Sequence, residues 1–174
     1  MSPADARALI AHPSLSAAGP QTWADLGSGD GTFTAALASL LPTGSVVHAI
    51  DVDAGALRRL PRRRGGVGIV AHACDFTTFP WPFDALDGVL MANSLHYVRD
   101  HETFLRRCGA HLKRRCVLVV EYDTDRANPW VPYPLGYAAA IELFRSAGYD
   151  EVQTLGRRQS VYRRADIYAA LFMQ

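Results

Sequence analysis

The residues that most clearly suggest a chemical role are three closely spaced glycines in the stretch Asp25-Leu26-Gly27-Ser28-Gly29-Asp30-Gly31. Glycine has no Cβ atom, so a loop this rich in glycine lets its backbone come close to a ligand. An apolar run precedes the loop and a helical pattern follows it, which predicts a strand-to-helix connection. The amides and the dipole at a helix N-terminus favour an anionic group. The stretch therefore predicts a ligand-binding loop.

Two common nucleotide-binding loops do not fit these residues. A triphosphate-binding P-loop needs a lysine after its second glycine, and the only lysine of the chain is the distant Lys113. A dinucleotide loop reads Gly-x-Gly-x-x-Gly, but here the third glycine comes one position early and Thr32 takes its place. The Tyr-x-x-x-Lys pair of short-chain dehydrogenases is missing as well, because residue 109 is glycine. These mismatches disfavour a nucleoside triphosphate and a nicotinamide cofactor.

The elements that must position this loop alternate short apolar runs with helical patterns, as βαβ units do. Strands are predicted at 22–26, 46–50, 67–71, 87–92, 116–120, 152–155 and 167–172, and helices at 32–41, 54–60, about 100–112 and about 134–147. A further short helix follows Ser2 and Pro3 and ends before Pro13. Parallel strands place their carboxyl ends at one edge of the sheet, where doubly wound folds bind ligands.

The pattern [Asp/Glu]-x-Gly-x-Gly-x-Gly is complete here, and it resembles motif I of the class I S-adenosylmethionine (SAM) dependent methyltransferases. The stretches WADLGSGDGTFT, NSLHYVRD, EYDTDRANPWVPYP and IYAAL are similar to those of small stand-alone bacterial methyltransferases. The resemblance implies an α/β fold with a doubly wound, Rossmann-like sheet of seven strands in the order 3-2-1-4-5-7-6, strand 7 antiparallel. It also implies one domain over residues 1–174, with a short helix and loop at 1–21 and the core at 22–174.

The same resemblance implies which residues hold the cofactor SAM. The loop would receive the methionine end of SAM through Asp25, Gly27, Ser28, Gly29 and Gly31, with Asn93 beside the same portion. A carboxylate can accept hydrogen bonds from two hydroxyls at once, and Asp51 would hold the ribose in this way. Val52 would lie against the adenine, Phe76 would border it, and Asp75 would accept from its amino group.

Residues for the acceptor side are expected after the fourth and fifth predicted strands. His96 is the best candidate for a general base, because it follows the fourth strand at the expected acceptor edge; the alternative is a histidine hydrogen-bonded to nearby backbone. Tyr97 either lines the acceptor site or packs against neighbouring side chains. Glu121 leaves the fifth strand at the same edge, and Trp130 and Tyr133 follow as ligand-facing or packing aromatics.

Composition limits the partners. A net charge of +1 gives no general attraction to nucleic acid or lipid, and the arginines at 58–64, 157–158 and 163–164 suggest solvated surface. The Asn/Asp-Pro-Pro-Tyr/Phe tetrapeptide of adenine methyltransferases is absent after Asn93. His72 and Cys74 lack a second pair at ligand spacing, so no metal site is expected. Three scattered cysteines and no membrane-length apolar run favour a cytoplasmic protein.

The sequence thus predicts SAM-dependent methyl transfer to a small molecule. The alternative is a SAM-binding module without catalysis, or a partner subunit, because only about twenty residues precede the first strand where many relatives carry a lid. A homodimer, in which a second copy covers the open site, is compatible with the same observation.

Overall fold

A central β-sheet carries the residues of interest in the computed structural model, which describes residues 1–16, 19–78, 81–159 and 165–174. Its strands are β1 (Thr22–Leu26), β2 (Val46–Asp51), β3 (Arg63–Arg64), β4 (Val67–Ala73), β5 (Gly88–Ala92), β6 (Cys116–Tyr122), β7 (Glu151–Gln159) and β8 (Asp166–Met173). The helices are α1 (Pro3–Ile10), α2 (Thr32–Ala38), α3 (Ala54–Leu57), α4 (His101–Ala110) and α5 (Tyr137–Ser146). The predicted surface pair Arg163 and Arg164 lies outside the described residues.

The sheet has the order β3-β4-β2-β1-β5-β6-β8-β7. Strands β4, β2, β1, β5 and β6 run parallel, whereas β8 pairs antiparallel with both β6 and β7. The predicted doubly wound class is therefore confirmed, and the seven longer strands follow the predicted order. The predicted count of seven is wrong by one, since Arg63 and Arg64 form a short antiparallel strand beside β4. Two exposed charged residues show no apolar alternation, so their sequence gives no strand signal.

The inner strands are apolar because both faces of the sheet are covered. Val117 to Val120 in β6 and Val89 to Met91 in β5 have no exposed surface. Two apolar clusters, one on each face, fill the space between the sheet and its surroundings. Buried parallel strands read as continuous apolar runs, which is why their positions were predictable.

Helix α1 packs against α2 and against β7 of the sheet. Ser2 caps it, accepting from the Asp5 amide at 3.1 Å, and Ala6, Leu9 and Ile10 are buried. Arg158 of β7 forms an ion pair with Asp5 at 2.9 Å. Among the described residues, no helix is long and apolar enough to cross a bilayer.

Candidate cofactor and acceptor site

The glycine loop between β1 and α2 adopts a backbone that favours glycine at three positions. Gly27, Gly29 and Gly31 have φ values of +79°, +52° and +82°, in the left-handed region. A Cβ atom on Gly27 would lie 2.6 Å from the Cβ of Ser94, whereas one on Gly29 would meet nothing within 4 Å. The loop is thus packed on one side and open at Gly29, where a ligand can approach the backbone.

The end of β2 fixes the loop. The amides of Gly27 and Ser28 both donate to the Ile50 carbonyl, at 2.8 and 2.9 Å. Asp51 accepts from the Gly29 amide at 2.8 Å with one carboxylate oxygen and from the Asp53 amide at 2.9 Å with the other. Each carboxylate oxygen has a further lone pair, and Asp51 is half-buried. Its carboxylate can therefore still accept from ligand hydroxyls.

Asp25, next to the last residue of β1, has no exposed surface. Thr34 of α2 donates to its Oδ2 at 2.6 Å, and Oδ1 has no partner among the described residues. Burial raises the pKa of Asp25 to about 7; the Thr34 hydrogen bond opposes this rise, and the charge of Asp51 adds to it. This carboxyl joins β1 to α2 through Thr34, and its predicted cofactor contact stays a prediction.

The other predicted cofactor residues surround the loop at the carboxyl ends of β2, β4 and β5. Val52 is 72% exposed, and Phe76 is buried with its ring edge close to Gly27. Asp75 is exposed, and its Oδ1 accepts from the amide and the hydroxyl of Thr77 at 2.9 and 2.7 Å. Asn93 has a φ of +54°, an uncommon conformation for a residue other than glycine.

Two buried polar atoms at this edge lack partners. Ser28 Oγ and Asn93 Oδ1 have no hydrogen-bond partner among the residues that the structure describes. Buried polar atoms usually find partners, so an unsatisfied atom needs an explanation. These two atoms and the open space over Gly29 fit the polar methionine end of SAM, as the sequence predicts for this loop.

His96 and Glu121 form a buried pair at the acceptor side. The short 3-10 turn Leu95–Tyr97 follows β5 and brings His96 next to the end of β6. His96 Nδ1 lies 2.8 Å from Glu121 Oε2, its amide donates to Oε1 at 3.2 Å, and the two residues are 2% and 1% exposed. In a neutral imidazole ring, a carboxylate that accepts from Nδ1–H leaves Nε2 as the unprotonated nitrogen. The alternative of a ring bonded to backbone is wrong, because the ring partner is this carboxylate.

A cavity of about 930 Å³ adjoins this pair. Its wall includes Asn93, His96, Tyr97, Tyr122, Arg126 and Trp130. Tyr97 and Trp130 are 52% and 77% exposed, whereas Tyr133 borders a smaller cavity on the other side of Tyr97. The residues after β6 thus border this cavity. Sequence reasoning missed Arg126 and the Glu121 partnership, because neither belongs to a recognisable motif.

Comparison with known proteins places the chain in a family. A profile of the methyltransferase domain matches residues 24–118, which is more than half of the chain. An uncharacterised methyltransferase of Mycobacterium tuberculosis (strain ATCC 25618 / H37Rv) is 36% identical over 91 residues, covering 52% of this chain and 45% of that protein. The chain therefore spans about half the length of the curated relatives it matches.

Solved structures share the fold. The N-terminal domain of EvdMO1, with S-adenosylhomocysteine (SAH) bound, has a TM-score of 0.69 at 18% identity, with 99% of this chain and 81% of that chain covered. The 1,6-didemethyltoxoflavin-N1-methyltransferase of Burkholderia thailandensis, with its acceptor and SAH bound, has a TM-score of 0.67 at 21% identity, with 99% and 78% covered. With its glycine loop and its strand-end carboxylates, the chain belongs to the methyltransferase domain family, in the class I, SAM-dependent group.

Proposed function

We propose that this chain transfers a methyl group from SAM to a small-molecule acceptor held in the cavity beside His96. The observation that carries this proposal is the continuity between the glycine loop and the cavity. Ser94 packs against Gly27, while its neighbours Asn93 and His96 line the cavity. One short segment after β5 thus touches both the cofactor loop and the acceptor space. A bound donor and a bound acceptor would meet there.

The cofactor would be held by residues of four strand ends. The loop residues Gly27, Ser28, Gly29 and Gly31, together with Asp25 and the side chain of Asn93, would hold the methionine portion. Asp51 would accept from the ribose hydroxyls. Val52 and Phe76 would enclose the adenine, and Asp75 would accept from its amino group.

Methyl transfer from SAM requires little covalent chemistry from the protein. SAM supplies a methyl group that is already activated on a sulfonium. The side chains around the cavity must hold the acceptor atom roughly 3–3.5 Å from that methyl carbon and keep water out. The Burkholderia enzyme of the same fold has 1,6-didemethyltoxoflavin and SAH bound, which supports a small-molecule acceptor here.

Binding and transfer experiments together test the proposal. Calorimetry should show binding of both SAM and SAH, and Gly29→Ala should weaken both roughly tenfold or more, because its Cβ would occupy the open side of the loop. Gly65→Ala is the matched control, since Gly65 also has a left-handed φ, of +56°, and a Cβ there also meets nothing within 4 Å, but it lies outside the loop, between β3 and β4. Failure of the folded protein to bind either compound would refute the proposal.

Transfer of the methyl group separates an enzyme from a binding module. Tritium from methyl-labelled SAM should appear in a small-molecule extract, and Asp51→Ala should abolish most of this transfer by weakening cofactor binding. Asp53→Asn, two residues further on in an exposed helix cap, serves as the control. SAM binding without any labelled product would favour the alternative, a SAM-binding module or partner subunit.

A further inference from the structure

We propose that the acceptor is a hydroxylated aromatic carboxylate that is methylated on its phenolic oxygen. His96 would act as the general base, Glu121 as the residue that positions it, and Arg126 as the anchor for the acceptor carboxylate. The proposal rests on the proposed function and names the acceptor class for the same cavity. Three independent features of the cavity wall carry it.

The first feature is the aromatic character of the wall. Tyr97, Tyr122 and Trp130 all line the cavity, and Tyr97 and Trp130 are 52% and 77% exposed. Aromatic rings favour other rings in offset-stacked or edge-to-face contact. Exposing a tryptophan on a cavity wall leaves a large apolar surface in water unless a ligand covers it. A planar aromatic acceptor would cover it.

The second feature is the orientation of the histidine. Glu121 is 1% exposed and accepts from the His96 side chain at 2.8 Å, from the His96 amide at 3.2 Å and from the Tyr122 amide at 3.3 Å. In a neutral ring, this arrangement puts the proton on Nδ1 of His96 and leaves the Nε2 lone pair as an acceptor. Among the described residues, no hydrogen bond is made by Nε2. His96 also lines the cavity, and the proposed acceptor would bind at Nε2.

A base of this kind favours an oxygen acceptor over an amine. A neutral amine already has a free electron pair for attack, whereas a hydroxyl becomes a strong nucleophile only when its proton leaves. The phenolic O–H would give its proton to Nε2 of His96 as the new carbon–oxygen bond forms. The carbon–sulfur bond breaks with its electron pair on sulfur, so the sulfonium becomes a neutral thioether and His96 carries the positive charge beside Glu121.

The third feature is an unpaired cation on the wall. Arg126 is exposed, lines the cavity and forms no ion pair among the described residues. The nearby Asp123 is already engaged, since it accepts from Arg157 and from the Tyr137 amide, both at 2.8 Å. A guanidinium matches a carboxylate with two parallel hydrogen bonds. An acceptor carboxylate would therefore find its partner at Arg126.

Matched acceptors test the proposal on the wild-type protein. The panel contains salicylate, 4-hydroxybenzoate and 3-hydroxy-2-naphthoate. Each is compared with its methyl ester and with the carboxylate that has an amino group in place of the hydroxyl, such as 2-aminobenzoate for salicylate. With methyl-labelled SAM, the hydroxy acids should be methylated at least about tenfold faster than the amino analogues. With SAH-loaded protein, calorimetry should show roughly tenfold weaker binding of the esters.

Variants test the assigned residues. Arg126→Ala should remove the preference for acid over ester, whereas Arg145→Ala, which removes an exposed arginine of α5, should keep it. His96→Asn should lower turnover about a hundredfold for weakly acidic phenols and much less for nitrophenols that are already ionised. Glu121→Gln should show the same dependence on phenol acidity, which a purely structural role would not produce.

The outcomes separate this proposal from the one it rests on. Equal rates on hydroxy and amino acceptors, equal binding of acids and esters, or no binding of any hydroxy acid to SAH-loaded protein would each overturn the acceptor class while leaving SAM binding intact. Loss of SAM and SAH binding itself would instead overturn the proposed function.

Discussion

Two carboxyl groups near the glycine loop have different surroundings. Asp51 is half-buried and accepts from the Gly29 amide at 2.8 Å, whereas Asp25 is fully buried. The only hydrogen bond to the Asp25 carboxyl among the described residues comes from Thr34 of α2, at 2.6 Å. A buried carboxyl with one partner is more stable neutral than charged, so we expect the charge of Asp25 to make the stability of the fold depend on pH.

Asp25→Asn should change how stability depends on pH. Burial raises the folded pKa of Asp25 to about 7, from an ordinary aspartate value of about 4. A raised folded pKa means that wild-type stability is fully present below about pH 4 and is lost as pH rises to about 7. That difference corresponds to roughly 4 kcal/mol. Asp25→Asn has no titrating carboxyl at this position and therefore no such loss. Its free energy of unfolding, measured with urea, should rise relative to that of the wild type by an amount of this order between pH 4 and 7.

A second variant should make stability depend more strongly on pH. Thr34→Val removes the hydrogen bond that favours the charged form of Asp25, so its loss of stability with rising pH should be deeper than that of the wild type. If the wild type and Asp25→Asn changed in parallel across this range, Asp25 would not carry the buried proton that its surroundings indicate.

Motif spacing points to the proposed cofactor residues more directly than to the proposed acceptor residues. Gly27, Asp51 and Asp75 stand at fixed places relative to strand ends, and the parallel sheet brings strand ends together. His96 and Glu121 are 25 residues apart, and their contact depends on the neighbouring position of β5 and β6. Arg126 belongs to a loop with no periodicity, so its place on the cavity wall could not be predicted.

Among the elements, the strand cores were predictable, whereas most strand and helix ends were not. Strand β1 matches its prediction at both ends, because both neighbours and both faces bury it. Strand β7 extends to Gln159, well beyond the predicted end at residue 155, because the polar run 156–159 pairs through its backbone with β8. Helix α2 ends at Ala38 instead of residue 41. Backbone pairing and helix ends leave little mark on side-chain patterns.

Helix α1 contributes stability without belonging to the site. Leu9 is 8% exposed, and its Cδ1 faces Gly156 of β7. Leu9→Ala should lower the free energy of unfolding by about 2–3 kcal/mol, as truncation of a buried leucine does. None of the α1 residues lines the cavities, so the affinity for SAH, measured by calorimetry below the unfolding temperature, should stay within about twofold of wild type.

A surface truncation provides the comparison for α1. Val70 on β4 is 43% exposed, and Val70→Ala should change stability by less than about 0.5 kcal/mol. A large loss of SAH affinity in Leu9→Ala at a temperature where the variant is folded would show that α1 reaches the site, contrary to its packing on α2 and β7.

In the molecule as a whole, the proposed cofactor site and the acceptor cavity lie at the ends of different strands of the sheet. The predicted cofactor residues follow β1, β2, β4 and β5, whereas the acceptor cavity is bordered by residues after β5 and β6. Residues 93–97 after β5 belong to both. A cofactor bound across four strand ends would therefore connect elements that are far apart in sequence, and its binding should stabilise the fold as one unit.

SAM should raise the melting temperature by mass action. Ligand at a hundred times its dissociation constant stabilises the folded state by about 2.7 kcal/mol, which for a chain of this length corresponds to roughly 5–10 °C. Differential scanning fluorimetry with SAM and with SAH measures this shift. Asp51→Ala should lose most of it at the same ligand concentration, whereas Asp53→Asn should keep it, because asparagine caps a helix about as well as aspartate does. Equal shifts in these two variants would place the cofactor away from the end of β2, because only Asp51 holds the Gly29 amide.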